Sequence, residues 1–284
     1  MNKTIVRPEH WKLLYENLFA RRDRAATVEL LSKGLDACTK NAELLLKDAD
    51  LLINTKRYAR GHFLIATADE EMAKAYLILD GCRLNFNTHE TYLRDLCRAF
   101  YGHVEKYAYN RVSRSDVRDM PHAKEIFHSD LVRWWPSGGI ESGEPDMPHA
   151  TYFSRESNLY VDYIDFDQDW WIPTDINNSP IFEWFPEYDP YSNSQRALAK
   201  LIYTQNLGLF GPDALKALND TFRNHLITEK TTNEKLFALY NEMAGKIKNL
   251  FGLPPAKFNE SVLMGWPLYH FLQTGPHKTG KNKT

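Results

Sequence analysis

The sequence is poor in cysteine, has no long apolar run and carries almost no net charge. Its three cysteines, Cys38, Cys82 and Cys97, form an odd set without a CxxC pair. That pattern speaks against a disulfide framework and against a zinc knuckle. No stretch of about 18 apolar residues occurs, so no membrane-spanning helix is expected. The opening MNKTIVRPEHWKLLYENLF meets a proline and charges before any apolar signal core could form, so no secretory leader is expected. Lys plus Arg number 35 against 37 Asp plus Glu. The balance excludes a strongly basic nucleic-acid coat but leaves room for a local cationic site. These absences predict a reduced, cytoplasmic protein with no metal and no cofactor.

What is present is enough apolar residue for a sizeable core, 43% of 284 residues. The first 112 residues carry helical stripes and none alternates at period two. Arg7 to Ala20 places Trp11, Leu14, Tyr15, Leu18 and Phe19 on one face. Asp23 is positioned to cap a short second helix that Gly34 would stop. A stripe from Ala42 to Ile53 predicts a third helix, Tyr58 to Leu79 a longer one, and Tyr92 to about Val112 a single helix opened by Thr88 or His89. Such stripes are buried by packing helix on helix.

The middle of the chain has a different character. Residues 136–150, PSGGIESGEPDMPHA, offer little to bury and read as a flexible surface loop. The following SRESNLYVDYIDFDQDWWIPTDI is rich in Tyr, Trp, Val and Ile, consistent with a short strand pair or an extended segment clamped by aromatics. A second soft stretch, PEYDPYSNSQ, leads to helical patterns at Gln195–Gly208, Pro212–Leu226 and Asn233–Phe251. These could form a separate bundle or add to the first. The last residues, from Gly275, make a basic frayed tail.

Three segments carry a resemblance. NAELLLKDADLLINTKRYARGHFLIATADEEMAKAYLIL at 41–79, the stretch Phe100-Tyr101-Gly102-His103-Val104-Glu105-Lys106, and Asn158-Leu159-Tyr160-Val161-Asp162 followed by Trp170-Trp171 are similar, in order and spacing, to the AbiV family of abortive-infection proteins within the HEPN superfamily. The resemblance covers about half the chain, roughly 41–176. It implies an all-α, HEPN-like helical bundle at 1–176 with an extended aromatic segment, to which the sequence adds a C-terminal helical region at 190–274 and the tail at 275–284. It also implies a role in antiphage defence and a domain that often dimerises. Many HEPN proteins are metal-independent ribonucleases whose Arg and His, in an Rx4–6H motif, cleave RNA by attack of the ribose 2′-OH on the adjacent phosphate.

Spacing alone does not locate that motif. With this many arginines and histidines about two matches arise by chance, and three occur: Arg57/His62, Arg83/His89 and Arg98/His103. Only Arg98/His103 lies on the late helix where the superfamily carries its motif. An imidazole can accept a proton from a 2′-OH, and an Arg fork can hold phosphate oxygens as charge builds on them. Against this, five residues on one ideal helix are about 140° apart, and Ala99 stands where many active motifs carry a polar residue. His103 and Lys106 share a helical face, so Arg98, His103 and Lys106 would form a compact cationic site. Glu70 and Lys74 read as an i, i+4 ion pair. Glu71, in a stretch that the family keeps inside its bundle, is the carboxylate expected to orient His103 or pair with Arg98.

Other constellations read as structural. Trp134, Trp135, Trp170, Trp171 and Trp184 suit a satellite core more than base stacking. Asp162, Asp165, Asp167 and Asp169 lack the glycine and terminal Glu of a calcium loop. His122, His128 and His149, in or near loops, do not form a zinc site. The leading functional expectation is an antiphage effector acting as a metal-independent endoribonuclease, with RNA and a second copy of the chain as its expected partners. The competing expectation is a catalytically inactive module that docks on a phage or host protein.

Overall fold

The computed structural model describes residues 10–131, 158–159, 162–164, 169–171, 173, 190–265 and 267. A short helix α1 (His10–Tyr15) runs into a π-turn at Glu16–Ala20. It leads to the long hairpin of α2 (Arg24–Asn54) and α3 (Tyr58–Arg83), the spine of the molecule. Asp23 caps α2 as its position predicts, its carboxylate accepting the Ala26 N–H at 2.8 Å. The expected stop at Gly34 does not occur; α2 continues for 31 residues. The buried row Val28, Leu31, Leu35, Cys38, Ala42, Leu46, Ala49 passes Gly34 without interruption. Each such Leu contributes about 1.5–3 kcal/mol on burial, more than the ~1 kcal/mol that a mid-helix glycine costs. The glycine also has a packing reason, because a Cβ there would lie 3.0 Å from Ile78 Cδ1 on α3.

The hairpin turn is a Schellman motif. Lys56 takes the left-handed position at φ 63°, its N–H bonding to Ile53 O at 2.9 Å while Arg57 N–H bonds to Leu52 O at 2.8 Å.

The single helix expected over Tyr92–Val112 is two helices. α4 (Glu90–Ala99) and α5 (His103–Arg114) are separated by a turn at Phe100–Gly102. Gly102 is extended at φ −81°, ψ 131°, and Glu105 folds its carboxylate back over it. A Cβ on Gly102 would meet the free end of the Glu105 side chain, so a larger residue there would displace that carboxylate, while the extended backbone itself suits any residue. Helix α6 (Met120–Leu131), which the sequence reading did not foresee, starts where Asp119 accepts the His122 N–H at 2.8 Å, and it buries Met120, Ala123 and Phe127. His122 and His128 are therefore helical rather than loop residues.

Of the two forms open to the aromatic segment, the strand pair is found. β1 (Asp162–Ile164) and β2 (Asp169–Trp171) are antiparallel, with Asp162 opposite Trp171. The loop at 136–150, the tail at 275–284, His149, Trp134, Trp135, Trp184, Asp165 and Asp167 lie outside the described residues.

Helices α7 (Pro190–Asn206), α8 (Pro212–Phe222), α9 (Asn233–Phe251) and α10 (Pro255–Asn259) follow, with a 3-10 turn at Val262–Met264. The second soft stretch is thus already helical from Pro190. These helices add to the first bundle. Asn219 Nδ2 donates to the carbonyls of Cys82 and Leu84 at 2.7 and 2.8 Å, and Arg24 reaches Asp220 at 2.5 Å. Leu201, Leu215, Leu218 and Phe222 join the same buried cluster as the α2–α3 residues. Apart from the two strands, the described chain is an all-α bundle. Among the described residues no helix is long and apolar enough to cross a membrane.

Candidate functional site

Three carboxylates of α3 bond to α5: Asp69 to Arg114, Asp80 to Tyr109, and Glu70 to the two candidate residues His103 and Lys106. Glu70 Oε1 lies 2.8 Å from His103 Nδ1 and its Oε2 accepts from Lys106 Nζ at 2.7 Å. His103 and Lys106 share a face of α5, as their spacing predicts, and one carboxylate holds both. Lys106 is not solvated surface: its side chain is 4% exposed, against 43% for His103. Burial works to raise the Glu70 carboxyl, but the hydrogen bond and charge of Lys106, followed by those of His103, outweigh it and hold the group below its ordinary value. Glu70 is therefore ionised at neutral pH, acts only as an acceptor, and accepts a hydrogen bond from His103 Nδ1–H. This fixes the neutral imidazole in the tautomer whose basic nitrogen is Nε2. His103 is also the first residue of α5, where the positive end of the helix dipole adds to the local field.

Two of the expected pairings are exchanged. Lys74 does not pair with Glu70; it binds Glu71 at 2.6 Å and stands 5.4 Å from the centroid of the Phe100 ring. Glu71 is accordingly not the carboxylate that orients His103, a part taken by Glu70. Helical spacing cannot separate i, i+3 from i, i+4 partners on one face, and the choice is made by what α5 places opposite.

Arg98 stands at the end of α4. Because the chain breaks at Phe100–Gly102, the angular objection drawn from one continuous helix no longer applies. The guanidinium bonds to Asp95 at 2.5 Å and lies over the Trp11 ring at 4.2 Å, with half of the side chain exposed. Trp11 is thus part of the setting of Arg98, which the sequence reading treated only as a core stripe residue. Ala99 is buried.

The other motif matches lie in different surroundings. Arg83 is sealed in the core at 2% exposure, paired with Asp80 and donating to the carbonyls of Leu263 and Gly265 at 2.9 and 3.0 Å. His89 accepts the Asn85 N–H through Nδ1 at 3.2 Å, and burial lowers its pKa. Arg57 is exposed at the start of α3. The three cysteines are buried free thiols, pushed up to about 12 by desolvation, which makes them poor nucleophiles. Among the described residues no group of three or more His, Cys, Asp or Glu is arranged to hold a metal.

The helical bundle is that of the HEPN class. The sequence model of the AbiV family, described as AbiV, matches residues 30–185. That span is more than half of the chain, and the protein belongs to this family of abortive-infection HEPN proteins. No curated protein and no solved structure matches the chain.

Proposed function

We propose that this AbiV-type protein is a cytoplasmic antiphage effector that cleaves RNA without a metal. The observation that carries the reading is the Glu70 carboxylate bound at once to His103 and Lys106. In this reading His103 Nε2 takes the proton of a ribose 2′-OH. The 2′-oxygen bonds to the adjacent phosphorus, the bond to the 5′-oxygen breaks, and a 2′,3′-cyclic phosphate remains. Glu70 keeps the imidazole in the working tautomer and stabilises the imidazolium that forms. Lys106 keeps Glu70 ionised, and Arg98 meets the non-bridging oxygens. Protonation of the departing 5′-oxygen needs an acid, which a second copy's His103 supplies in a homodimer built about α4 and α5.

One observation favours the competing reading of a docking module without catalysis: Arg98 is already engaged by Asp95 and Trp11, and Ala99 is buried beside it. Incubating the full chain with total RNA in excess EDTA separates the two. Fragments ending in a cyclic phosphate support catalysis. Intact RNA, or cleavage that needs added magnesium, overturns it. Light scattering across a concentration series tests the dimer, which a protein that cleaves RNA as a monomer would refute.

A further inference from the structure

We infer that α1 and the turn between α4 and α5 form a subsite for an unpaired nucleotide of single-stranded RNA, with the Tyr101 ring as its stacking platform and Arg98 as its phosphate contact. The inference rests on the reading of His103 as the reacting residue. To Arg98, which that reading already places at the phosphate, it adds Tyr101 and α1, which that reading does not use.

Tyr101 is two positions before His103, in the turn between α4 and α5. The residue is 48% exposed, while its neighbours Phe100 and Gly102 are half-buried. The His10 ring lies 6.0 Å away at 36°, so the two rings flank one another at the surface. On the other side of α1, Trp11 is partly buried against the core and presents its face to the Arg98 guanidinium at 4.2 Å. The Lys12 ammonium is 5.5 Å from the same ring, and the Arg94 guanidinium is 4.5 Å from Tyr15. Asp95 and Glu90 hold Arg98 and Arg94 by their side chains, which fixes the cations in place without burying them; both remain more than a third exposed.

Rings interleaved with fixed cations are what a single strand requires. Each base offers a face to stack and each phosphate a charge to meet, largely irrespective of sequence. An A-form duplex hides its base faces and offers a ring nothing to stack on. A protein partner would be served by a wider apolar patch, whereas here the only large exposed aliphatic side chain of α1 among the described residues is Leu13. The surface also joins two sources: α5 lies within the region that matches the family, and α1 precedes residue 30, outside it. The chemistry would then come from the shared domain and the grip on the strand from the preceding helix.

The test uses the full chain carrying His103→Ala, so that binding is read without cleavage. A labelled 12-nucleotide single-stranded RNA of mixed sequence is titrated by fluorescence anisotropy, beside the same sequence as a duplex. Tyr101→Ala in this background is expected to weaken single-strand binding roughly tenfold, with Tyr101→Phe retaining it. Because Tyr101 is exposed, thermal unfolding should be unchanged and a folding defect is thereby detected separately. In the wild-type background Tyr101→Ala should raise KM more than it lowers kcat. Equal affinity of Tyr101→Ala and its parent, or equal affinity for the duplex, overturns the subsite. Cleavage that is indifferent to Tyr101→Ala overturns it and leaves the His103 reading standing. Tyr101-dependent binding by a chain that never cleaves does the reverse. Absence of any RNA binding refutes both.

Discussion

Asp80 and Glu70, two of the three α3 carboxylates that bond to α5, meet opposite fates. Asp80 is 1% exposed, paired with Arg83 and accepting from the Tyr109 hydroxyl at 2.8 Å, with the Leu263 and Gly265 carbonyls closing over the guanidinium. Glu70 likewise binds two partners, Lys106 and His103, but the second reaches solvent. The ingredients are alike: an acid, a buried cation and a third hydrogen-bonding group. In the first cluster all are enclosed and the group serves to lock α3, α5 and the chain after α10 together. In the second, one member stays accessible and can exchange a proton with something outside. The same contrast separates the arginine–histidine matches. Arg83/His89 obeys the spacing as well as Arg98/His103 does, yet its arginine is out of reach of any substrate.

The comparison breaks most sharply at His103. Replacing it by Ala is expected to cut RNA cleavage by about 10²–10⁴-fold, the usual contribution of a general base, with helical content unchanged and stability shifted by less than about 1 kcal/mol because the ring is half exposed. Cleavage kinetics beside circular dichroism check it; a normal rate would move the site elsewhere. Next in size, Arg83→Ala should cost about 3–5 kcal/mol of stability, since it leaves Asp80 charged and buried. Urea unfolding would show this as a lower midpoint. Any activity lost in that variant should return at lower temperature, where enough of it stays folded. A stable but inactive Arg83→Ala protein would mean that the sealed cluster is catalytic after all.

Much of this arrangement was legible in the sequence. The α2–α3 hairpin and the helices after Pro190 follow from apolar spacing, and the cap at Asp23 from its side chain. His103 and Lys106 appear together because i, i+3 is a helical neighbour distance. Four features were not legible. The run through Gly34 depends on the burial of the apolar row on both sides of it, a tertiary fact invisible to a local breaker rule. The division of α4 from α5 falls at Phe100–Gly102, where the one local signal, Gly102, reads equally as a tolerated glycine within one helix. The partners of Glu70 and Glu71 are chosen by α5, more than 30 residues away, so a rule confined to one helix assigned Lys74 to the wrong carboxylate. Helix α6 was overlooked because Asp119-Met120-Pro121 looks like a loop until it is seen as a capped start.

A smaller effect sharpens the comparison through pH. Glu70 is held below its ordinary pKa in the folded protein, so the fold favours its ionised form. Its contribution is present in full above the unfolded value, about 4.5. It is lost as the pH falls through the folded value. Glu70→Gln is expected to cost about 1–3 kcal/mol at pH 7, because Lys106 stays buried opposite a neutral amide. The gap between wild type and variant should narrow below about pH 4.5. Urea titrations at pH 7 and pH 4 measure both. A gap independent of pH would show that Glu70 is not held as a carboxylate by these partners.

Arg57 should give the smallest effect and thereby tests whether spacing alone has any meaning. It satisfies the motif with His62, yet it sits exposed at the position preceding α3, with φ −92°, ψ 58° and no side-chain cap hydrogen bond. A positive charge at a helix N-terminus opposes the dipole, so the side chain contributes nothing there that alanine would lose. Its backbone accepts the Gly61 N–H at 3.0 Å and donates to Leu52 O at 2.8 Å, and both bonds survive substitution. Arg57→Ala is therefore expected to change stability by no more than about 0.5 kcal/mol and to leave the rate of RNA cleavage within about twofold. Measured beside His103→Ala on the same RNA, it isolates environment from spacing. Loss of cleavage in Arg57→Ala with normal cleavage in His103→Ala would transfer the site from the Glu70 cluster to the start of α3.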